Sequence, residues 1–125
     1  MTDDTSGGTS EGAGDRDCIF CRIAAGDVPA DVVHSDDDVV AFRDTAPKAD
    51  VHVLVVPRAH VRDVTDLVDD PALLAAVVRT AGEVAQDFAD GDFRLVFNTG
   101  PGAGQTVFHA HAHVLAGGGA AATGL

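Results

Sequence analysis

Phe108-His109-Ala110-His111-Ala112-His113-Val114-Leu115 places three of the chain's six histidines at strict two-residue spacing inside an apolar run. Side chains of a β-strand alternate between faces, so a strand here aligns three imidazoles on one side and buries Phe108, Ala110, Ala112 and Val114 on the other. His109 and His113 then lie roughly 13 Å apart at their Cα atoms. Ligand atoms near 2 Å from one ion cannot span that row, so different histidines must do different work. A neutral imidazole can be a nucleophile, a proton carrier or a metal ligand near neutral pH. The plainer alternative is a strand with solvent-facing histidines, or a His-rich tract that picks up metal adventitiously.

Working outward, the segment before the row is glycine-rich, Thr99-Gly100-Pro101-Gly102-Ala103-Gly104, and predicts a loop. Phe93, Leu95 and Phe97 alternate with Arg94, Val96 and Asn98 as a strand. Upstream, Asp70-Pro71 supplies an N-cap and a first helical residue. Leu73, Leu74, Val77, Val78, Ala81, Val84, Ala85 and Phe88 then recur at helical spacing up to Asp90-Gly91. Val51-His52-Val53-Leu54-Val55-Val56 is apolar on both faces apart from His52, as a central strand covered on both sides should be, and Pro57 ends it. Val32-Val33-His34 and Val39-Val40-Ala41-Phe42 flank Ser35-Asp36-Asp37-Asp38 as a hairpin. Asp17 is placed to cap a short helix over Cys18 to Ala25, which Gly26 ends. The expected fold class is α+β: a five-stranded, mainly antiparallel sheet with one long and one short helix.

One domain is all that 125 residues support. Residues 1–16 are Gly, Ser, Thr and acid, with almost nothing to bury, and read as a disordered acidic tail; the domain runs over 17–117, and 118–125 read as a flexible C-terminal tail. The N-terminus lacks the basic and apolar regions of a secretory signal, and no apolar stretch approaches the roughly 20 residues of a membrane helix, so the expected location is cytoplasmic with no membrane partner. Twenty acidic residues stand against eight basic ones, formal net charge −12, and Lys48 is the single lysine. Phosphate backbones are bound by Lys and Arg, so long nucleic acid is not an expected partner. A surface this acidic is also one a halophilic protein uses to stay hydrated. Cys18 and Cys21 form a C-x-x-C pair, which without a secretory signal suggests a thiolate metal site or a redox pair. The redox reading lacks the βαβ context such motifs need.

Taken together, His109-Ala110-His111-Ala112-His113-Val114-Leu115 resembles the signature of the histidine triad (HIT) family, and Gly104-Gln105-Thr106-Val107-Phe108 resembles its lead-in. The similarity also takes in Asp17-Cys18-Ile19-Phe20-Cys21-Arg22-Ile23, Ala41-Phe42-Arg43-Asp44, His52-Val53-Leu54-Val55-Val56-Pro57-Arg58-Ala59-His60 and Phe97-Asn98, in the family's order, and is greatest to the Hint-like branch. The resemblance implies a HIT-like fold, usually a homodimer with sheets joined edge to edge. It also implies a nucleotide hydrolase or transferase that attacks an α-phosphorus and passes through a nucleotidyl-histidine, acting on a purine nucleoside phosphoramidate or a related conjugate.

By that resemblance His111 is the nucleophile, His113 binds phosphate or manages the leaving-group proton, and His52 is an additional active-site histidine, the alternative being a hydrogen-bonded core residue. Asn98, Gln105 and Thr106 would contact phosphate. With the backbone amides of the glycine loop they could stabilise transition-state charge, since few cations lie near the motif. A plain turn is the alternative for the glycines. Asp44 matches the ribose ligand, and Ile19, Phe20 and Ile23 would line the base pocket or simply the core. Many prokaryotic relatives hold a structural zinc with residues that here are Cys18, Cys21, His60 and His109; the alternative is a metal-free pair of packed thiols. The chain departs from the Hint-like pattern at its end, where Ala116-Gly117-Gly118-Gly119-Ala120-Ala121-Ala122-Thr123-Gly124-Leu125 replaces a tail with tryptophan and prolines. An alternative of another class is a zinc-containing nucleotide sensor or interaction module with little turnover.

Overall fold

The computed structural model describes residues 17–121. The expected tail over 1–16 and the last four residues of the chain lie outside the described residues.

Five strands, β1 (Val32–Ser35), β2 (Val39–Arg43), β3 (Val51–Pro57), β4 (Arg94–Val96) and β5 (Ala112–Ala116), form one sheet in the order β1-β2-β3-β5-β4. Every ladder in it is antiparallel. Helices α1 (Ile19–Ala24), α2 (Val64–Leu67) and α3 (Pro71–Phe88) complete the fold, with a 3-10 turn at Pro101–Ala103. No helix of the described residues is long and apolar enough to cross a membrane.

The central strand explains the two layers. Val51, Val53 and Val55 of β3 join Ala112, Val114 and Ala116 of β5, Val39 and Ala41 of β2, and Val77, Ala81, Val84 and Ala85 of α3 in one buried cluster. The intervening Leu54 and Val56 pack on the opposite face with Val40, Phe42, Phe20 and the two cysteines of the α1 region. Period-two alternation therefore sends half of a continuous apolar run to each layer, which is why β3 shows no polar face apart from His52. Asp70 caps α3 by accepting from the Leu73 N–H at 3.1 Å, with Pro71 in the first turn, as the sequence predicts.

Four details differ from the sequence reading. Cys18, not Asp17, is the N-cap of α1: its backbone is extended and its sulfur accepts from the Cys21 N–H at 3.4 Å. Regular β5 begins only at Ala112, because the Ala110 N–H leaves the sheet to donate to the Val61 carbonyl at 2.6 Å. Phe108 is 44% exposed, not buried, and lies under the Arg62 guanidinium at 5.9 Å. A second short helix, α2, accompanies the expected one. Its N-cap Asp63 accepts from the Asp66 N–H and the Thr65 hydroxyl, and Leu67 is its buried anchor.

Candidate functional site

The three triad rings share the α1 side of the sheet although only His113 lies in regular β5, because alternation persists through the extended residues before it: Ala110, Ala112 and Val114 point into the α3 core. All three histidines are buried, His109 completely. Phe20, from α1, sets its ring edge-on to His109 at 6.0 Å and to His111 at 5.0 Å between centroids. Arg58 fixes α1 in that place. It donates from Nη1 to the Ala24 carbonyl at 2.6 Å, from Nε to the Asp36 carbonyl at 2.6 Å and from Nη2 to the Ser35 hydroxyl at 2.7 Å.

The hydrogen bonds assign a tautomer to each ring. Nδ1 of His111 lies 2.8 Å from the His109 carbonyl, which can only accept, so Nδ1 carries the proton and Nε2 a lone pair. At the other end of the row the Lys48 N–H donates to Nδ1 of His52 at 3.1 Å. His52 when neutral must then bear its proton on Nε2, which lies 3.0 Å from Nδ1 of His113. His113 accepts there and carries its own proton on Nε2. Sheet register makes this contact: His52 stands opposite Leu115, and Leu54 opposite His113, so the two histidines are diagonal neighbours on one face. Asp44 Oδ2, 3.4 Å from Nε2 of His52, lies beside the same proton, and Asp44 Oδ1 accepts from the Ala46 N–H.

Electrostatics keeps these rings neutral. Burial lowers the pKa of His111 below the ordinary imidazole range, against the opposing pull of its bond to the His109 carbonyl. His113 is lowered to about 4, by burial first and then by the neighbouring His111 and His52. His52 is lowered by burial and by Lys48, with Asp44 acting in the other direction. A lone pair on His111 thus sits beside an N–H donor on His113, with ring centroids 5.1 Å apart and both rings buried and neutral at neutral pH.

The other end of the row is a different kind of site. Cys18, Cys21, His60 and His109 bring four ligand atoms within 4.8 Å of one another and could hold a metal ion. Sγ of Cys18 is 3.3 Å from Nδ1 of His109, and Sγ of Cys21 is 3.2 Å from Nδ1 of His60 and 3.4 Å from Nδ1 of His109. A tetrahedral ion with two thiolate and two imidazole ligands sets such edges at about 3.6 Å, so the donor set fits with a small expansion. Nε2 of His109 donates to the Pro57 carbonyl at 2.7 Å, which leaves Nδ1 unprotonated and aimed into the cluster. The Cys18 thiol is held far below its ordinary range, first by the Cys21 thiol hydrogen-bonded to it, then by the His109 and His60 rings and the Cys21 N–H, while burial opposes. Asp44, His52 and His113 also converge closely enough for an ion. There, however, the Lys48 N–H occupies Nδ1 of His52, so its Nε2 carries a proton and not a free lone pair.

Gln105 is buried, and its whole amide is engaged: Oε1 accepts from the Gly100 N–H at 2.8 Å, and Nε2 donates to the Arg62 and Val107 carbonyls at 2.8 and 3.0 Å. It ties the glycine loop to the 60–62 segment. Asn98 is half-buried, with its Nδ2 3.9 Å from where a Cβ on Gly104 would lie, and Thr106 is exposed. On α1, Ile19 is exposed and Ile23 packs on the Phe20 and Phe42 cluster. Sequence reasoning missed Lys48, Pro57 and Arg58. Two of these act through backbone groups, which leave no residue-type signal, while Arg58 could have been suspected from its place between a strand end and His60.

A model of the HIT domain family matches residues 25–119. An uncharacterized HIT-like protein of Synechocystis is 45% identical over 104 residues, spanning 82% of this chain and 91% of its own. The purine nucleoside phosphoramidase of Escherichia coli K12 is 35% identical over 105 residues, spanning 82% and 88%. Among solved structures, a HIT family hydrolase from Clostridium thermocellum superposes with a TM-score of 0.78 at 37% identity over 82% of this chain and 91% of its own. A HIT family hydrolase from Legionella pneumophila gives 0.76 at 42% over 81% and 93%. Triad, sheet order and these likenesses agree: the chain belongs to the HIT family.

Proposed function

We propose that this protein is a nucleotide hydrolase or transferase that attacks the α-phosphorus of a purine nucleoside phosphoramidate or related nucleotidyl conjugate, forms a nucleotidyl-histidine on His111, and releases a nucleoside monophosphate. The observation that carries the reading is the bond from Nδ1–H of His111 to the His109 carbonyl, which leaves Nε2 as a neutral, oriented nucleophile. Its relative in Escherichia coli is named a purine nucleoside phosphoramidase, in keeping with this substrate class.

In the first step the Nε2 lone pair of His111 bonds to phosphorus as the substrate's P–N bond breaks, and the leaving nitrogen, which takes a proton from solvent, departs as the amine. The imidazolium so formed keeps its Nδ1–H on the His109 carbonyl, whose partial charge stabilises it. His113 donates from Nε2 to a phosphoryl oxygen, and His52, held by Lys48, keeps it in the donating tautomer. Water then attacks the same phosphorus and gives up a proton to solvent, the P–N bond to His111 breaks, and the monophosphate leaves with the ring neutral again. Asn98, Thr106 and amides of the loop that Gln105 holds contact the phosphate. Asp44 takes the ribose hydroxyls, and Ile19, Phe20 and Ile23 line the base pocket. Cys18, Cys21, His60 and His109 would hold a zinc ion, which as a closed four-ligand site would supply a cross-link between α1 and the β5 approach and would not act as a Lewis acid. The protein works as a homodimer, sheets joined edge to edge, in the cytoplasm.

Intact-mass analysis after rapid quenching with an adenosine phosphoramidate tests the reading. A nucleotidyl adduct in wild type, absent in His111→Ala, is expected. No adduct together with no AMP release, while nucleotide still raises Tm, would instead favour a zinc-containing nucleotide sensor.

A further inference from the structure

The loop between β2 and β3 delivers the Lys48 N–H to His52, and the far end of the chain holds that loop. The Asp50 N–H donates to the Gly118 carbonyl at 3.0 Å, and the Gly118 N–H donates back to Asp50 Oδ2 at 2.8 Å. The fit leaves no space for side chains. A Cβ on Gly117 would lie 2.9 Å from Cβ of Asp50, one on Gly118 would lie 2.9 Å from Asp50 Oδ2, and one on Gly119 would lie 3.1 Å from the Lys48 carbonyl oxygen. Gly117 and Gly119 also have φ of +76° and +89°, where a Cβ is strained. Ala116 pairs with Val51, so the glycines leave β5 directly beside the residues they hold.

We propose that Asp50 and Gly117-Gly118-Gly119 are positioning residues for the His52–His113 pair. By clamping residues 48–50 they keep the Lys48 N–H on Nδ1 of His52, and so keep the His113 proton on Nε2, where it faces the phosphoryl group. The device has two states. With the Lys48 N–H withdrawn, His52 can carry its proton on Nδ1, its Nε2 becomes an acceptor, and His113 places its proton on Nδ1 toward it. The donor that the reaction uses is then gone, although no residue touching substrate has changed. This inference rests on the proposed reaction only for its activity arm.

Long-range ¹⁵N–¹H correlation spectra of the full chain at pH 7.5 report each histidine tautomer directly. In wild type, His52 and His113 are both expected as Nε2–H. In Gly118→Ala and Asp50→Ala, a substantial Nδ1–H fraction should appear at both rings, with kcat falling about tenfold, a part of the 10²–10⁴ that general acid–base groups supply, and KM little changed. Asp50→Asn, which keeps an acceptor for the Gly118 N–H, should restore the wild-type tautomers and rate. Wild-type tautomers in folded Gly118→Ala and Asp50→Ala would overturn the proposal, as would an Nδ1–H His52 in wild type; should Gly118→Ala not fold, Asp50→Ala decides. An absence of turnover in wild type would count against the reaction alone, because the spectra read the clamp without substrate.

Discussion

Acidification should destabilise this fold through His113, and the size follows from where the ring sits. In the unfolded chain the imidazole takes a proton near 6.5, whereas in the folded protein burial and its two histidine neighbours delay that to about 4. Between those values the unfolded state binds more protons, so stability rises with pH and falls as pH falls. At 1.36 kcal/mol for each pH unit the window corresponds to about 3 kcal/mol, fully lost below pH 4. The chain has no Trp or Tyr, so urea unfolding is best followed by far-ultraviolet circular dichroism, at pH 7.0 and 4.2. His113→Asn supplies the comparison: its amide oxygen can still accept from Nε2–H of His52, but it does not titrate. Contributions from the cysteine–histidine cluster, from His52 and His111, and from Asp36 and Asp63, whose carboxyls are lowered chiefly by hydrogen bonds from His34 and Thr65, are common to both proteins and cancel. Wild type should lose about 3 kcal/mol more than His113→Asn over that interval. Equal losses would mean that the ring protonates as freely in the fold as outside it, and the neutral, buried row would be refuted.

Stripping metal with a strong chelator should lower Tm by roughly 15 °C if the four-residue cluster holds zinc, since saturation near a thousand times Kd is worth about 4 kcal/mol; an unchanged Tm and no zinc by elemental analysis would remove the metal. Gln105→Ala leaves the Gly100 N–H and two carbonyls without their partner and should cost about 3 kcal/mol in urea unfolding, whereas a loss under about 0.5 kcal/mol would show that the loop closes without it. With a formal charge of −12, Tm should rise with KCl. A gain complete by about 0.5 M is simple screening, and one that continues past roughly 1 M, where the Debye length is already near 3 Å, marks the halophilic adaptation.

Most of the fold was legible because burial on two faces writes itself into residue type. Val51–Val56 is apolar throughout, and only a strand covered by α3 on one side and α1 on the other satisfies that pattern. Asp70-Pro71 named the start of α3 through cap chemistry that does not depend on tertiary context. The misreadings share a cause. Cys18 displaced Asp17 as the cap because a sulfur drawn into a cluster with His109 was already beside the Cys21 N–H. Phe108 stayed outside because the Ala110 N–H turned to Val61 instead of continuing the ladder. Neither local propensity nor periodicity carries such contacts, which couple residues far apart in sequence.

The site divides in the same way. Side-chain identities named the row, and two-residue spacing put its rings on one face even where regular strand pairing stops. The protonation of each ring was not legible, since it is decided by the His109 carbonyl, the Lys48 amide and the Pro57 carbonyl, groups that any residue would supply. Those three backbone groups give three chemically similar rings different duties. Pro57 turns a lone pair of His109 toward two cysteines, His109 turns a lone pair of His111 away from its own carbonyl, and Lys48, through His52, turns an N–H of His113 outward. A repeated histidine is therefore enough to present a free lone pair, an N–H donor and a second lone pair among thiols, provided that the strand beside it and the loop before that strand present the right backbone atoms. Moving one backbone amide, as Gly118→Ala is expected to do, would change the chemistry while leaving every histidine in place.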